Sequence, residues 1–257
     1  MPDSFQVQNP LDTSEYFVRQ HYLDFLGREP DEGGFNYWSS QFDACNGDAA
    51  CLDSLRLGIS AAFFIEQEFQ QTGSFIYRLY KAGLGRQLSY TEFSADRPQV
   101  IGGVNLDRSK IAFADAFVQR PEFVQAYQNK STAESFVDTL LAQVWNASAI
   151  DPGRERSHLI AIYKSGGNIN QSRSLALQWV IDNSALKQTE YNKSFVLMQY
   201  FGYLKRDADQ GGFDFWLNVL NNREPDSYRG MVCSFITSAE YQMRFASVVS
   251  HSNDECR

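Results

Sequence analysis

The sequence predicts an all-α fold, and three observations carry that prediction. The pattern Phe-Val-x-x-x-Tyr-x-x-x-Leu-x-Arg-x-x-Asp-x-Gly-Gly-Phe-x-x-Trp occurs at residues 17–38 and again at 195–216. Phe17, Phe75, Phe136 and Phe195 open similar apolar segments at spacings of 58, 61 and 59 residues, the mark of a repeated supersecondary unit. Strand signals are missing, since no run of period two is bounded by hairpin turns. The expected architecture is four degenerate three-helix repeats of about 60 residues packed into one helical body, with units starting near Phe17, Phe75, Phe136 and Phe195. Residues 13–246 form this domain, between an N-terminal extension (1–12) and a C-terminal tail (247–257).

Each unit opens on an amphipathic helix. Val18, Tyr22, Phe25 and Leu26 fall at i, i+4, i+7 and i+8, one face of a helix, and Val196, Tyr200, Tyr203 and Leu204 repeat the spacing. Ile76, Tyr80 and Leu84 hold these positions in the second unit, where Gly83 leaves a gap and Arg86 matches Arg28. Val137, Leu141, Val144 and Trp145 keep the apolar face in the third, without the arginine.

The turn that follows is the most specific part of the pattern. Arg28 and Arg206 precede Asp31 and Asp209, which are placed to cap the second helix by accepting from its free N–H groups. The pairs Gly33-Gly34 and Gly211-Gly212 permit close packing or unusual backbone angles. Trp38 and Trp216 share a helix face with Phe35 and Phe213 and are expected as core anchors, each contributing roughly 1.5–3 kcal/mol through burial.

A third helix closes the unit, as in Arg56 to Ala62 and Tyr228 to Val232. It is followed by a recurrent ending: Phe63 with Glu68-Phe69, Phe117 with Glu122-Phe123, Phe235 with Glu240-Tyr241, and the degenerate Val180 with Ala185-Leu186. Pro121 and Ser238 just ahead of the glutamates read as helix starts.

Composition narrows the function. The 257 residues carry a net charge of −8 with no Lys/Arg cluster, which argues against nucleic acid as a partner. No apolar stretch reaches the ~18 residues needed to span a bilayer, so membrane insertion is not expected. Met1-Pro2-Asp3-Ser4 has neither the basic region nor the apolar core of a signal peptide, so the segment reads as an excised piece of a longer precursor. Four cysteines allow three pairings. Local proximity favours Cys45–Cys51, pinning a polar loop, and Cys233–Cys256, tying down the tail. Two disulfides imply an extracellular or cell-surface location.

Few constellations point to chemistry. Asp207 and Asp209, with Gly212, occupy positions 1, 3 and 6 of an EF-hand-like loop, but Asn218 stands where a bidentate Glu is expected. They are weak calcium candidates, and helix capping explains them better. In unit one Glu29, Asp31 and Gly34 hold those positions with Ser40 last. His21, His158 and His251 are scattered, and no Cys-x-x-Cys pair suggests zinc. No nucleophile elbow, His-Glu-x-x-His or phosphate loop occurs. Glu66, Glu68, Glu122 and Glu240 could serve a glycosidase as paired carboxylates. Three of them recur at one repeat position, which favours a helix-terminal structural role. Tyr16, Tyr37, Tyr77, Tyr90, Tyr127, Tyr163 and Tyr191 do not all fit the apolar stripes, so some are candidates for exposed contacts to sugar or protein.

Residues 17–38 closely resemble the bacterial domain-of-unknown-function family 4214: an amphipathic helix, then Gly27-Arg28-x-Pro30-Asp31, then a Trp-bearing helix. Arg229 to Tyr241 resembles that family's last helix and Ser-x-Glu-Tyr end. Unit four departs with Lys205 for the glycine and Ala208 for the proline, while units two and three lack the Gly-Gly and Trp. The resemblance implies an all-helical extracellular module attached to other domains of large secreted bacterial proteins. It is also distantly similar to phycobilisome linker domains, which are helical assembly modules. No catalysis is established for the family, so no catalytic, metal or cofactor residue is carried over. The expected function is a non-catalytic secreted or cell-surface interaction module, binding protein or envelope polysaccharide. An extracellular hydrolase acting on glycans and a calcium-stabilised spacer are the alternatives.

Overall fold

A computed structural model describes residues 8–65, 67–151 and 153–256, and the side chains of residues 64–69 are not among those described. The expectations placed on Met1–Ser4 and Glu66, and on the side chains of Glu68 and Phe69, fall outside them. Every regular element among the described residues is helical, with fourteen α-helices joined by short 3₁₀ and π turns. Contacts cluster into two compact units, one formed by Met1–Phe69 with Phe195–Arg257 and the other by Gln70–Ser194.

In the first unit α1 (Ser14–His21) runs into a π-helical turn, Tyr22–Leu26, that ends on left-handed Gly27 (φ 64°). α2 (Glu32–Gln41) starts where Asp31 accepts from the Gly34 amide at 2.8 Å, and α3 (Ala49–Ile65) follows. α4 (Gln67–Leu84) opens the second unit's share of the chain and stops at left-handed Gly85 (φ 71°). α5 (Tyr90–Asp96) begins with a Ser89/Glu92 capping box, a reciprocal pair that satisfies two orphan amides. After α6 (Leu106–Phe117), Pro121 starts α7 (Pro121–Ala126) from the position where its missing N–H costs nothing. α8 (Ala133–Ser148), α9 (Arg156–Lys164) and α10 (Ile169–Ile181) complete that unit with the first part of α11 (Ser184–Gln199).

The chain then repeats its opening. A second π turn, Tyr200–Leu204, ends on left-handed Lys205 (φ 55°), and Asp209 caps α12 (Gln210–Asn218) on the Gly212 amide at 2.8 Å. α13 (Tyr228–Ile236) and α14 (Ala239–Gln242) follow, the latter capped by Ser238 as its sequence position suggests.

Aromatic rings fill both cores. Phe17, Phe75, Phe136 and Phe195 are all buried, as their periodic spacing predicts. Tyr203 packs on Phe25 and Tyr241 in the first unit, and Tyr127 stacks on Phe123 at 4.4 Å in the second. The two expected disulfides are present. Cys45–Cys51 fastens the turn ahead of α3, and Cys233–Cys256 ties the tail to α13.

The extension and the tail both contribute to the first unit. Leu11 is buried there, and Asn9 Nδ2 donates to the carbonyls of Gln242 and Val248. The fully buried Gln242 side chain donates to the carbonyls of Thr237 and His251 and accepts from the amides of Ser250 and His251.

Candidate functional site

The repeated turn builds the same frame three times. In each case an arginine lies over the ring of the tyrosine that starts the last turn of the first helix: Arg28 over Tyr22 at 5.2 Å, Arg86 over Tyr80 at 5.1 Å, Arg206 over Tyr200 at 5.2 Å. The arginine also grips the recurrent glutamate in the first turn of a later helix. Arg86 makes a bidentate pair with Glu122 (2.8 and 2.6 Å), and Arg206 does so with Glu240 (2.6 and 3.0 Å). Paired guanidinium–carboxylate hydrogen bonds hold the Glu122 carboxyl below its ordinary range. Glu122 and Glu240 thus tie the turn to the start of a later helix.

The second glycine of each pair has a definite cause. A Cβ on Gly34 would collide with the Tyr22 hydroxyl, and one on Gly212 with the Tyr200 hydroxyl. Gly33 and Gly211 would meet only the Asp31 and Asp209 carboxylates at ordinary contact distances, 3.5 and 3.6 Å. Close packing, not positive φ, explains the second glycine, and none of the four sits in the left-handed region.

The tryptophans depart from expectation. Trp38 and Trp216 are not buried anchors: each is partly exposed, with one face on the unit. Trp38 leans on Phe63 (6.0 Å) and Trp216 on Phe235 (5.9 Å). The reason lies in the helix that carries them. α2 is ten residues long, and none of them is buried. The residue before each tryptophan is an exposed aromatic set edge-on against it: Tyr37, 58% exposed, at 4.9 Å, and Phe215, 50% exposed, at 5.2 Å. Of the seven tyrosines singled out above, Tyr37 alone is exposed. Tyr77, Tyr127 and Tyr163 are buried, and Tyr16, Tyr90 and Tyr191 are intermediate.

Beside Trp216 this arrangement leaves a shallow groove of about 430 Å³. Phe215, Trp216, Tyr200 and Phe235 supply its aromatic surface, and Arg206, Glu240 and Asn253 supply polar edges. Its charges are already matched. Glu240 is held by Arg206, and Asp209 is lowered below its ordinary pKa by the Gly212 amide it caps. The calcium reading of Asp207 and Asp209 gains no support: Asp209 Oδ1 serves as the cap, and Arg206 lies 3.7 Å from its other oxygen.

Two other polar clusters in the first unit look like chemistry. His21 accepts at Nε2 from Ser60 Oγ (2.8 Å) while Nδ1 donates to the Phe17 carbonyl (2.8 Å), and Ser60 also bonds the Tyr203 hydroxyl. This serine–histidine geometry is sealed in the core, with His21, Ser60 and Tyr203 all at 0–1% exposure. Burial pushes His21 down to about 4, so the ring is neutral at physiological pH and packs as a polar core residue.

The other cluster escaped sequence reasoning because its members lie far apart in the chain. Asp53, His251 and Glu255 offer ligand atoms within 4.8 Å of one another, beside a small cavity that they line with Arg56. His251 Nε2 faces Asp12 at 3.1 Å and Nδ1 faces Glu255 at 2.9 Å. Among the described residues this is the one His/Cys/Asp/Glu group with the spacing to hold a metal ion. Arg56 at 3.3 Å from Asp53 already supplies a cation there.

The capped-turn frame and its aromatic groove define an all-helical module with a shallow surface site. Residues 182–250, which carry the turn at 200–216 and all the groove residues named above except Asn253, match the family described as Domain of unknown function (DUF4214). No curated protein and no solved structure matches the chain.

Proposed function

We propose that this chain is a non-catalytic, extracellular interaction module built from four degenerate three-helix repeats, and that it binds bacterial envelope polysaccharide through its exposed aromatic pairs. The repeat reading is supported by register. Tyr22, Gly27, Arg28, Asp31 and Phe35 recur 58 residues on as Tyr80, Gly85, Arg86, Ser89 and Phe93, and 178 residues on as Tyr200, Lys205, Arg206, Asp209 and Phe213. The third unit keeps only the buried Phe136, Val137, Leu141 and Val144 and a left-handed residue, Ala149, after its first helix.

One observation carries the binding reading: Tyr37 and Phe215 are both about half exposed, each beside a partly exposed tryptophan at the same place in the motif. Large rings are normally turned inward unless something covers them, and a flat ring with polar neighbours suits the apolar face of a sugar. Non-catalysis is supported by the state of the carboxylates. Glu240 is bound by Arg206 and Asp209 caps a helix, which leaves no free acid/base pair at the groove. Two disulfides fit an oxidising compartment, where the module would serve other domains of a longer secreted polypeptide.

The test is retention of the oxidised chain on insoluble polysaccharides and bacterial envelopes, with soluble products monitored. Retention without products is expected, reduced in Tyr37→Ala and Phe215→Ala at unchanged melting temperature. Release of sugar would establish the hydrolase instead. Retention on envelope proteins alone would make the partner a protein.

A further inference from the structure

The second unit contains a cleft of about 150 Å³ whose polar lining no part of the motif explains. Ser74 and Arg78 reach it from α4, Lys110 from α6, and Lys187, Tyr191 and Ser194 from α11. Arg78 is the key group. It is 7% exposed, and its Nε donates to the Ile181 carbonyl at 2.9 Å. Its two Nη groups have no hydrogen-bond partner among the described residues, although a buried guanidinium normally satisfies its fork of donors.

Two carboxylates, Asp182 and Glu190, also line the cleft, and each already has a partner. Asp182 pairs with Lys187 at 2.8 Å. Glu190, almost completely buried, accepts from the Tyr77 hydroxyl at 2.6 Å and from Lys193 at 2.8 Å. Among the described residues Lys110 makes no ion pair within 4 Å; its ammonium lies 5.1 Å from the centre of the Phe75 ring. Two cations therefore face one cleft without a carboxylate in hydrogen-bond contact, Asp182 reaching both only at longer range. Ser74 and Ser194 line the cleft as a hydrogen-bonded pair 3.2 Å apart, with Ser194 Oγ donating on to the Tyr191 carbonyl at 2.9 Å. Burial lowers Arg78 to about 10 and lowers Lys110 as well, so an anion entering the cleft would relieve a cost already present in the fold.

We propose that this cleft binds a single oxyanion group of a small ligand, a carboxylate or a phosphate or sulfate ester, gripped by Arg78 and Lys110. A guanidinium fork suits two oxygens of either group, and the ammonium supplies the second charge. The volume admits one such group with a few attached carbons, not a polymer segment. This site lies in the second unit, and its existence does not depend on the polysaccharide reading of the aromatic groove.

The test titrates the full oxidised chain with acetate, glucuronate, phosphate and sulfate, each to ~50 mM at constant ionic strength. Calorimetry and amide chemical shifts report binding. Saturable 1:1 binding of at least one is expected, with amide shifts at residues 74–78, 110 and 187–194. Carboxylate selectivity would name an acidic sugar or organic acid, and tetrahedral selectivity an ester. Lys110→Gln and Arg78→Lys should each weaken binding at least about tenfold, the loss of a charged hydrogen bond. Lys164→Gln, on the surface of α9 with Glu134 as its partner, should leave it unchanged. If Arg78 variants fail to fold, Lys110→Gln decides alone. No saturable binding by the unmodified chain, or equal binding by the variants, overturns the proposal.

Discussion

The turns at 22–38 and 200–216 and the turn at 80–96 share a backbone and differ in what is built on it. All three place an arginine over a tyrosine, end the first helix on a left-handed residue and cap the next helix from the same register position. In the first unit the tyrosine hydroxyl is pressed against a glycine, and a tryptophan stands four residues beyond that glycine. In the second unit Glu92 replaces the glycine and Asp96 replaces the tryptophan. Tyr80 donates to Asp96 at 2.8 Å, and Arg120 closes on both. One solution leaves an aromatic surface open, and the other fills the same place with a buried polar network. The frame is therefore structural, and it tolerates different side chains at the position where the tryptophans stand.

The sharpest way to break this comparison is at the shared position. Asp96 is buried, and its loss strands Arg120 and the Tyr80 hydroxyl, so Asp96→Ala should cost about 3–5 kcal/mol in chemical denaturation. Trp38→Ala and Trp216→Ala, with one face already in water, should cost only ~1–3 kcal/mol each. Equal costs at the two positions would make the tryptophans core anchors after all.

Acid should separate the two units. His21, Leu79 and Gln199 occupy one buried register position, and only the first unit has a titratable group there. Burial lowers the folded pKa of His21 to about 4, below the ordinary histidine value of about 6.5. As pH falls the unfolded chain takes up the proton first, so the stability is fully present above pH 6.5 and is lost as pH drops towards 4. The loss should reach about 3 kcal/mol. Hydrogen exchange should show α1 and α3 opening across this window while α8 and α10 remain protected, and His21→Leu should abolish the difference.

Glycine substitution sharpens the comparison further. Gly212→Ala should cost about 1–3 kcal/mol because its Cβ meets the Tyr200 hydroxyl, and Gly211→Ala should be close to neutral. Tyr200→Phe removes the colliding oxygen and should recover much of the Gly212→Ala loss in a double-mutant cycle. Additive effects would mean the glycine is there for some other reason.

These contrasts show what could be read from residues alone. Helix phase, the Asp31 and Asp209 caps, the Pro121 and Ser238 helix starts and the Cys45–Cys51 bridge are local, decided within a few positions of chain, and Cys233–Cys256 follows as the pairing of the two cysteines left over. The tryptophans were misjudged because apolar character predicts a preference for burial, while exposure depends on how much of a short helix its neighbours cover. The Asp53–His251–Glu255 cluster and the Arg78 cleft were invisible for a different reason. Each assembles residues from distant segments, so no spacing records them.

The smallest effect tests whether the frame can be improved. Lys205 holds, at φ 55°, the left-handed position that Gly27 and Gly85 fill elsewhere, a conformation that costs a non-glycine residue about 1 kcal/mol or more. In return its ammonium sits 2.9 Å from buried Asp24, which also binds Arg244 (3.0 and 3.1 Å) and Gln20 (2.7 Å). Lys205→Gly trades the ion pair for relief of strain, and with Arg244 still neutralising Asp24 the net change should lie within ~1 kcal/mol. Lys205→Ala keeps the strain and loses the pair, so it should be less stable than Lys205→Gly by about 1 kcal/mol. If the alanine and glycine variants melt together, the left-handed residue carries no strain, and the lysine is retained at this turn for its charge alone.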